Sequence, residues 1–122
     1  MSLTFETREE LTGIFIIKLN GSLDTNTAGS LETETNRLLG TTPTTIIFDF
    51  ENLDYISSAG VRVVLKTKKG LKEVSGNLMM MNLQPQIKKV FEIINALPSQ
   101  QVFSSISELD RYLDKMQRKI TG

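Results

Sequence analysis

The sequence has no cysteine and no histidine. The first absence excludes disulfide staples, thiolate nucleophiles and thiolate metal sites, and the second removes the commonest general base and metal ligand. Most enzyme classes lose their usual parts, so the expectation is a non-enzyme with no cofactor and no metal. No apolar run approaches the roughly 20 residues of a membrane span, and the N-terminus lacks a signal-peptide pattern. A cytoplasmic protein without membrane insertion is therefore expected. Net charge is also missing: 14 basic residues balance 14 acidic ones, which disfavours a general role on nucleic acid or anionic membranes.

A length of 122 residues with 39% hydrophobic content fits one domain, residues 1–122, with a modest core and no staples. Charge is uneven along the chain. Residues 1–60 hold three bases against nine acids, and residues 61–122 hold eleven bases against five acids. In a compact fold the halves interleave, and solvated faces explain the asymmetry more simply than a polar docking surface.

The stretch Phe48–Leu65 organises the rest. Thr45 to Phe50 is a β-branched and aromatic run, whereas Val61, Val64, Thr67, Leu71 and Val74 recur at steps of three and four. Strand passes to helix near Tyr55 to Ser58. Ser57 or Ser58 can accept a hydrogen bond from the orphan N–H groups of the helix, and small Ala59 and Gly60 would leave such groups open to a ligand or a modified side chain. A plainer account makes Ser57 an N-cap and Gly60 a packing aid. The helix should run from about Ser58 to Val74, with Arg62, Lys66 and Lys69 on its solvent face.

Before this stretch, Leu3 to Thr7 and Ile14 to Leu19 suggest a hairpin around a polar turn, Glu9 to Gly13, with Asn20-Gly21 ending the second strand. Ala28, Leu31, Thr35 and Leu38 define a first helix to about Leu39, stopped by Gly40. If the second and third strands are parallel neighbours, the loops leaving their C-terminal ends share one sheet edge, and Asp24 lies near Ser58. Asp24 could equally serve only to cap the first helix. The near-continuous apolar third strand suits burial on both faces. Its Asp49 invites comparison with receiver domains, but those place an acidic pair after their first strand, and neither strand preceding Asp49 ends that way.

Downstream, Ser75-Gly76-Asn77 ends the second helix and Leu78 to Met81 reads as a fully buried fourth strand with methionines as core filler. Pro85 opens a third helix with the stripe Ile87, Val90, Phe91 and Ile94, and Pro98 stops it. A short fifth strand is expected at Gln101 to Phe103. Ser105 and Glu108 form a capping box for a fourth helix that carries Leu109, Tyr112, Leu113, Met116 and Ile120. The expected fold class is α/β, a mixed, mainly parallel sheet of about five strands with four helices, opening with a β-hairpin.

The segment from Asp49 through Leu53, Tyr55, Ile56, Ser57, Ser58, Ala59 and Gly60 to Val61, with Gly21-Ser22-Leu23-Asp24 before it, resembles the STAS family, in particular the bacterial anti-sigma factor antagonists. The resemblance spans about Leu3 to Leu113. It implies a STAS fold and a phosphorylated serine at Ser58; many antagonists carry aspartate where this chain has Ser57. It implies further that Asp24 helps form the partner surface; the parallel-strand geometry adds the expectation that Asp24, Thr25 and Asn26 join Ser57, Ser58, Ala59, Gly60 and Arg62 in that surface. The implied partner is an anti-sigma factor with serine kinase activity, which the unmodified protein binds to free a sigma factor and the phosphorylated protein releases. A serine phosphatase would reset the switch. ATP and Mg²⁺ would belong to the kinase, since this chain has no P-loop. Two alternatives stand beside this expectation: a STAS accessory subunit of a membrane lipid-transport ATPase, and a serine hydrolase using Ser58 with a Lys or Asp base.

Overall fold

After an opening hairpin, strand and helix alternate: β1 (Leu3–Leu11), β2 (Ile14–Leu23), α1 (Ala28–Leu39), β3 (Thr45–Ile56), α2 (Ser58–Glu73), β4 (Asn77–Met81) and α3 (Pro85–Ala96). The computed structural model describes residues 2–96, 110–115 and 117; the last two stretches are helical. The expected fifth strand, the Pro98 stop and the Ser105–Glu108 capping box lie outside the described residues.

The sheet order is β1-β2-β3-β4, with β1 antiparallel to β2 and the other pairs parallel. This order decides where the helices go. Both crossovers, β2-α1-β3 and β3-α2-β4, step in the same direction across the sheet, and right-handed crossovers in one direction put their helices on one face. The contacts agree: Thr7 on β1 donates to Glu34 on α1, Lys66 on α2 pairs with Glu32 on α1 at 3.0 Å, and Phe91 on α3 sits 6.1 Å from Phe50 on β3. Ile17, Leu19, Ile46, Phe48 and Phe50 form the fully buried floor beneath them.

The opposite face carries Ile16, Lys18, Ile47 and Met81, all half-buried, and Met79, which is 56% exposed. Two expectations change accordingly. Among the described residues β3 is covered by helices on one face, not two, and β4 is not fully buried, since Met79 and Met80 are exposed. A short apolar run does not reveal whether one or both of its faces are covered. The singly wound topology decides that, and it is invisible in a strand of five residues.

Local boundaries also moved. Asn20-Gly21 does not end β2: Gly21 takes φ +107, a conformation favoured by glycine, and the strand continues to Leu23. The third strand outruns its apolar stretch at Phe50: it continues to Ile56, with Asn52, Leu53, Tyr55 and Ile56 paired to β2. Gly40 closes α1 without using its left-handed freedom, at φ −64. On α2, Val74 is the C-cap and is exposed, whereas Val63 is buried with Val61, Val64, Thr67 and Leu71. α3 matches its expected stripe, with Ile87, Val90 and Phe91 buried and Ile94 packed against them.

Outside the core, Glu34 is the group whose ionisation the fold alters most plainly. Two hydrogen bonds from Arg37, at 2.8 and 2.9 Å, hold its carboxyl below the ordinary range against an opposing effect of burial, and Thr7 adds a further donor.

Candidate functional site

β2 and β3 run parallel to their ends, where Leu23 pairs with Ile56 and the Ser57 amide donates to the Leu23 carbonyl at 2.9 Å. Between Lys18 and Leu23 the register shifts twice, and each time β3 gains one residue on β2. Such bulges bend a strand and increase its twist, so β3 delivers its final residues at a changed angle to the start of α2. The chain therefore leaves β2 at Asp24 and leaves β3 at Ser57 side by side on one sheet edge, as the parallel geometry required.

The two serines have different surroundings. Ser57 is the N-cap of α2, extended at φ −97 and ψ 176, with its hydroxyl accepting from the Gly60 amide at 3.5 Å and its carbonyl from the Val61 amide at 3.0 Å. Gly60 is buried hard against the sheet. A Cβ there would lie 2.7 Å from Leu23 Cγ, 2.8 Å from Ile56 Cγ1 and 2.9 Å from the Leu23 carbonyl oxygen. The plainer account of Ser57 and Gly60 is thus the observed one: Gly60 lets α2 seat on the strand ends, and its amide is engaged by Ser57 rather than open.

Ser58 stands apart. It is the first residue of α2 and 9% exposed, and its Oγ is buried without a hydrogen-bond partner among the described residues. A buried hydroxyl normally finds a partner, so an orphaned one at a helix N-terminus is an unusual expense. Its amide is engaged, donating to Asp110 Oδ1 at 2.8 Å. Ala59 is half-buried, and Arg62 is exposed one helical turn beyond Ser58.

On the neighbouring loop, Asp24 is half-buried, and its Oδ1 accepts from the amides of Asn26 at 2.9 Å and Thr27 at 3.1 Å. Thr27 Oγ1 in turn donates to the Ser22 carbonyl at 2.8 Å and accepts from the Asp24 amide at 2.8 Å. Asp24 is thus not the N-cap of α1, which is Thr27 with no side-chain capping bond; its carboxylate instead shapes the turn that leads into the helix. Thr25 and Asn26 at the tip are exposed.

Asp49 is not part of this site. It lies seven residues before the end of β3 on the helix-free sheet face, buried, accepting from the Glu51 amide at 3.0 Å and Asn82 Nδ2 at 3.1 Å. A receiver-type phosphoacceptor would stand at the strand end instead.

Two residues that sequence reasoning did not single out complete the edge. Gln117 Oε1 accepts from the Ile56 amide at 3.0 Å, and Gln117 Nε2 donates to the Ile56 carbonyl at 2.8 Å. This side chain clamps both backbone groups of the last β3 residue, as a strand would. Leu113 beside it is fully buried, and Asp110 on the same segment reaches the Ser58 amide. The only available hint was spacing: Gln117 follows Leu113 by four and so continues the apolar stripe of the expected fourth helix.

Residues 7–109 match the STAS domain family. The chain belongs to it. Over 87 residues, 71% of this chain and 75% of the relative, it is 38% identical to BtrV of Bordetella bronchiseptica, provisionally named an anti-sigma factor antagonist. It is 32% identical over 78 residues to the anti-sigma F factor antagonist of Lysinibacillus sphaericus, covering 63% of this chain and 67% of that one. Solved structures of the anti-sigma factor antagonist SpoIIAA, unphosphorylated and phosphorylated, each superpose with a TM-score of 0.66 at 26% identity. They cover 89% of this chain and 97% and 99% of theirs. The STAS fold explains the architecture above: a mixed sheet opened by a hairpin, with helices following the parallel strands.

Proposed function

We propose that this STAS protein is an anti-sigma factor antagonist switched by phosphorylation of Ser58. Unmodified, it binds an anti-sigma factor that is also a serine kinase and so frees a sigma factor; phosphorylated, it is released, and a serine phosphatase restores it. The observation that carries the reading is the contrast at the start of α2. The Ser57 hydroxyl is committed to capping the helix, while the Ser58 hydroxyl is left without a partner. The names of the relatives supply the partner class.

The physics of release follows from charge. A phosphoserine brings about −1.5 to −2 charge, and beside a helix N-terminus it is favoured by about 0.3–1 kcal/mol, so the fold tolerates it. Within a closed interface an uncompensated anion costs several kcal/mol, and each 1.4 kcal/mol weakens binding about tenfold. The partner surface in this reading joins the exposed Thr25 and Asn26 and the Asp24 turn to Ser57, Ser58, Ala59 and the exposed Arg62, while the buried Gly60 contributes only by seating α2 beneath it. The burial of Ser58 means that the kinase reaches its hydroxyl only after a local opening.

Incubation with the cognate kinase and ATP, followed by mass spectrometry, is the test. Phosphate on Ser58, absent from a Ser58→Ala variant that still binds the kinase, is expected. Phosphate on Ser57 alone would overturn the assignment, and recovery of a membrane ATPase rather than a kinase as the cellular partner would overturn the antagonist role.

A further inference from the structure

Asp110 and Ser58 meet at the N-terminus of the 16-residue helix α2, the Asp110 carboxylate accepting from the Ser58 amide at 2.8 Å. Two facts make this more than a cap. The carboxylate comes from 52 residues downstream, and it binds the residue whose own Oγ is buried and unpartnered. A helix N-terminus favours an anion through its aligned N–H groups, and here an anion already holds the leading amide. Any phosphate carried by Ser58 would enter the same small volume, compete for the same amide and face the carboxylate's charge.

We propose that Asp110 is the positioning residue that couples the described C-terminal helical residues, 110–115 and 117, to the phosphorylation state of Ser58. The proposal rests on Ser58 being the modified residue. While Ser58 is unmodified, the carboxylate ties the segment to the start of α2. A phosphate on Oγ takes over the N-terminal amide and expels the carboxylate, and the segment is then held by Leu113 and the Gln117 clamp on Ile56. The phosphate thus alters a second surface beside the serine, while the sheet stays unchanged. Linkage requires the reverse as well: loosening Asp110 must favour the phosphorylated state by the same factor.

The test uses full-length protein with phosphoserine installed at position 58 during translation, so that no kinase is needed. Failure of the kinase assay above would then count against the proposed function alone. Amide hydrogen exchange is read over residues 110–117 with and without the phosphate. Loss of one charge-assisted hydrogen bond at a partly exposed site predicts exchange about tenfold faster in the phosphoprotein. The control is Asp110→Asn, which keeps an acceptor for the Ser58 amide but removes the charge. Its exchange should match wild type without phosphate and change far less than wild type with it. Equal protection of the wild-type segment with and without phosphate would overturn the coupling. An equal tenfold rise in Asp110→Asn would overturn the role of the carboxylate charge.

Discussion

Replacing Gly60 by alanine adds one carbon at a place with no room for it. That carbon would stand 2.7 Å from Leu23 Cγ, 2.8 Å from Ile56 Cγ1 and 2.9 Å from the Leu23 carbonyl oxygen. The last of these is backbone, and it already accepts from the Ser57 amide at 2.9 Å. Relieving the clash must therefore either tilt α2 or loosen the bond that seats it. Overpacking of this kind costs about 1–3 kcal/mol, and the gain from removing a helical glycine recovers up to about 1 kcal/mol, less in a first turn. The net expectation is a loss of about 1–2 kcal/mol. Gly29 supplies a matched reference, because it also lies in a first helical turn and a Cβ there meets nothing within 4 Å. Gly29→Ala should be neutral or slightly stabilising. At about 4 °C per kcal/mol for a chain of this size, the two variants should melt roughly 5–10 °C apart, with Gly60→Ala the lower. Urea unfolding should show the same order with an unchanged slope. A Gly60→Ala protein as stable as Gly29→Ala would show that the contact between α2 and the strand ends is not tight, and the packing account of Gly60 would fail.

Val64 is 1% exposed, so Val64→Asp places an unpaired charge in the core and should abolish the cooperative thermal transition, while Arg62→Glu on the exposed side should change stability by less than about 0.5 kcal/mol; circular dichroism melts check both. Glu34 has a lowered folded-state pKa, so its interaction with Arg37 and Thr7 stabilises the fold above the ordinary carboxylate pKa and is lost as pH falls through the lower folded value. The stability gap between wild type and Glu34→Gln should accordingly be constant above about pH 5 and shrink in more acidic solution; a gap that widened on acidification would refute the sign. Gln117→Leu strands the amide and carbonyl of Ile56 and should cost about 2–4 kcal/mol in chemical denaturation, whereas an unchanged midpoint would mean that the clamp contributes nothing.

Legibility in the sequence followed the range of the interaction. Helix faces were readable because their periodicity is local: Ala28, Leu31, Thr35 and Leu38 on α1, and Ile87, Val90 and Phe91 on α3, are buried as their spacing demands. The shared edge of Asp24 and Ser57 followed from one topological premise, that β2 and β3 are parallel neighbours. Burial of Met79 was misread because it depends on which side of the sheet the crossovers choose, and burial of Met80, which lies opposite Phe48 on the helix side, because β4 is the end strand of the described sheet. Asp110 and Gln117 were missed because their partners are 52 and 61 residues away, and nothing in a polar side chain on a helix announces such a contact. Gly60 lay between these cases. Its smallness was visible, but whether it opened space for a ligand or closed space against Leu23 depended on how far α2 descends onto the strand ends.

That descent links the fold to the proposed switch. Two bulges let β3 advance two residues on β2 by the time the strands end, so Ser57 and Ser58 arrive beside the Asp24 turn rather than inside the sheet. Gly60 then draws the first turn of α2 onto Leu23 and Ile56, which fixes where the Ser58 amide and hydroxyl lie. Gln117 fixes Ile56 from the other side, so the residue just before the serines is held by β2 and by the C-terminal segment at once. Each device acts on backbone at the strand ends, leaving the Ser58 hydroxyl as the one buried polar side-chain atom without a partner among the described residues. An unpartnered hydroxyl lowers stability, and apolar packing would fill the position at less cost. Serine there is therefore better explained by chemistry done to it than by anything it does for the fold, and Ser58→Ala should be at least as stable as wild type.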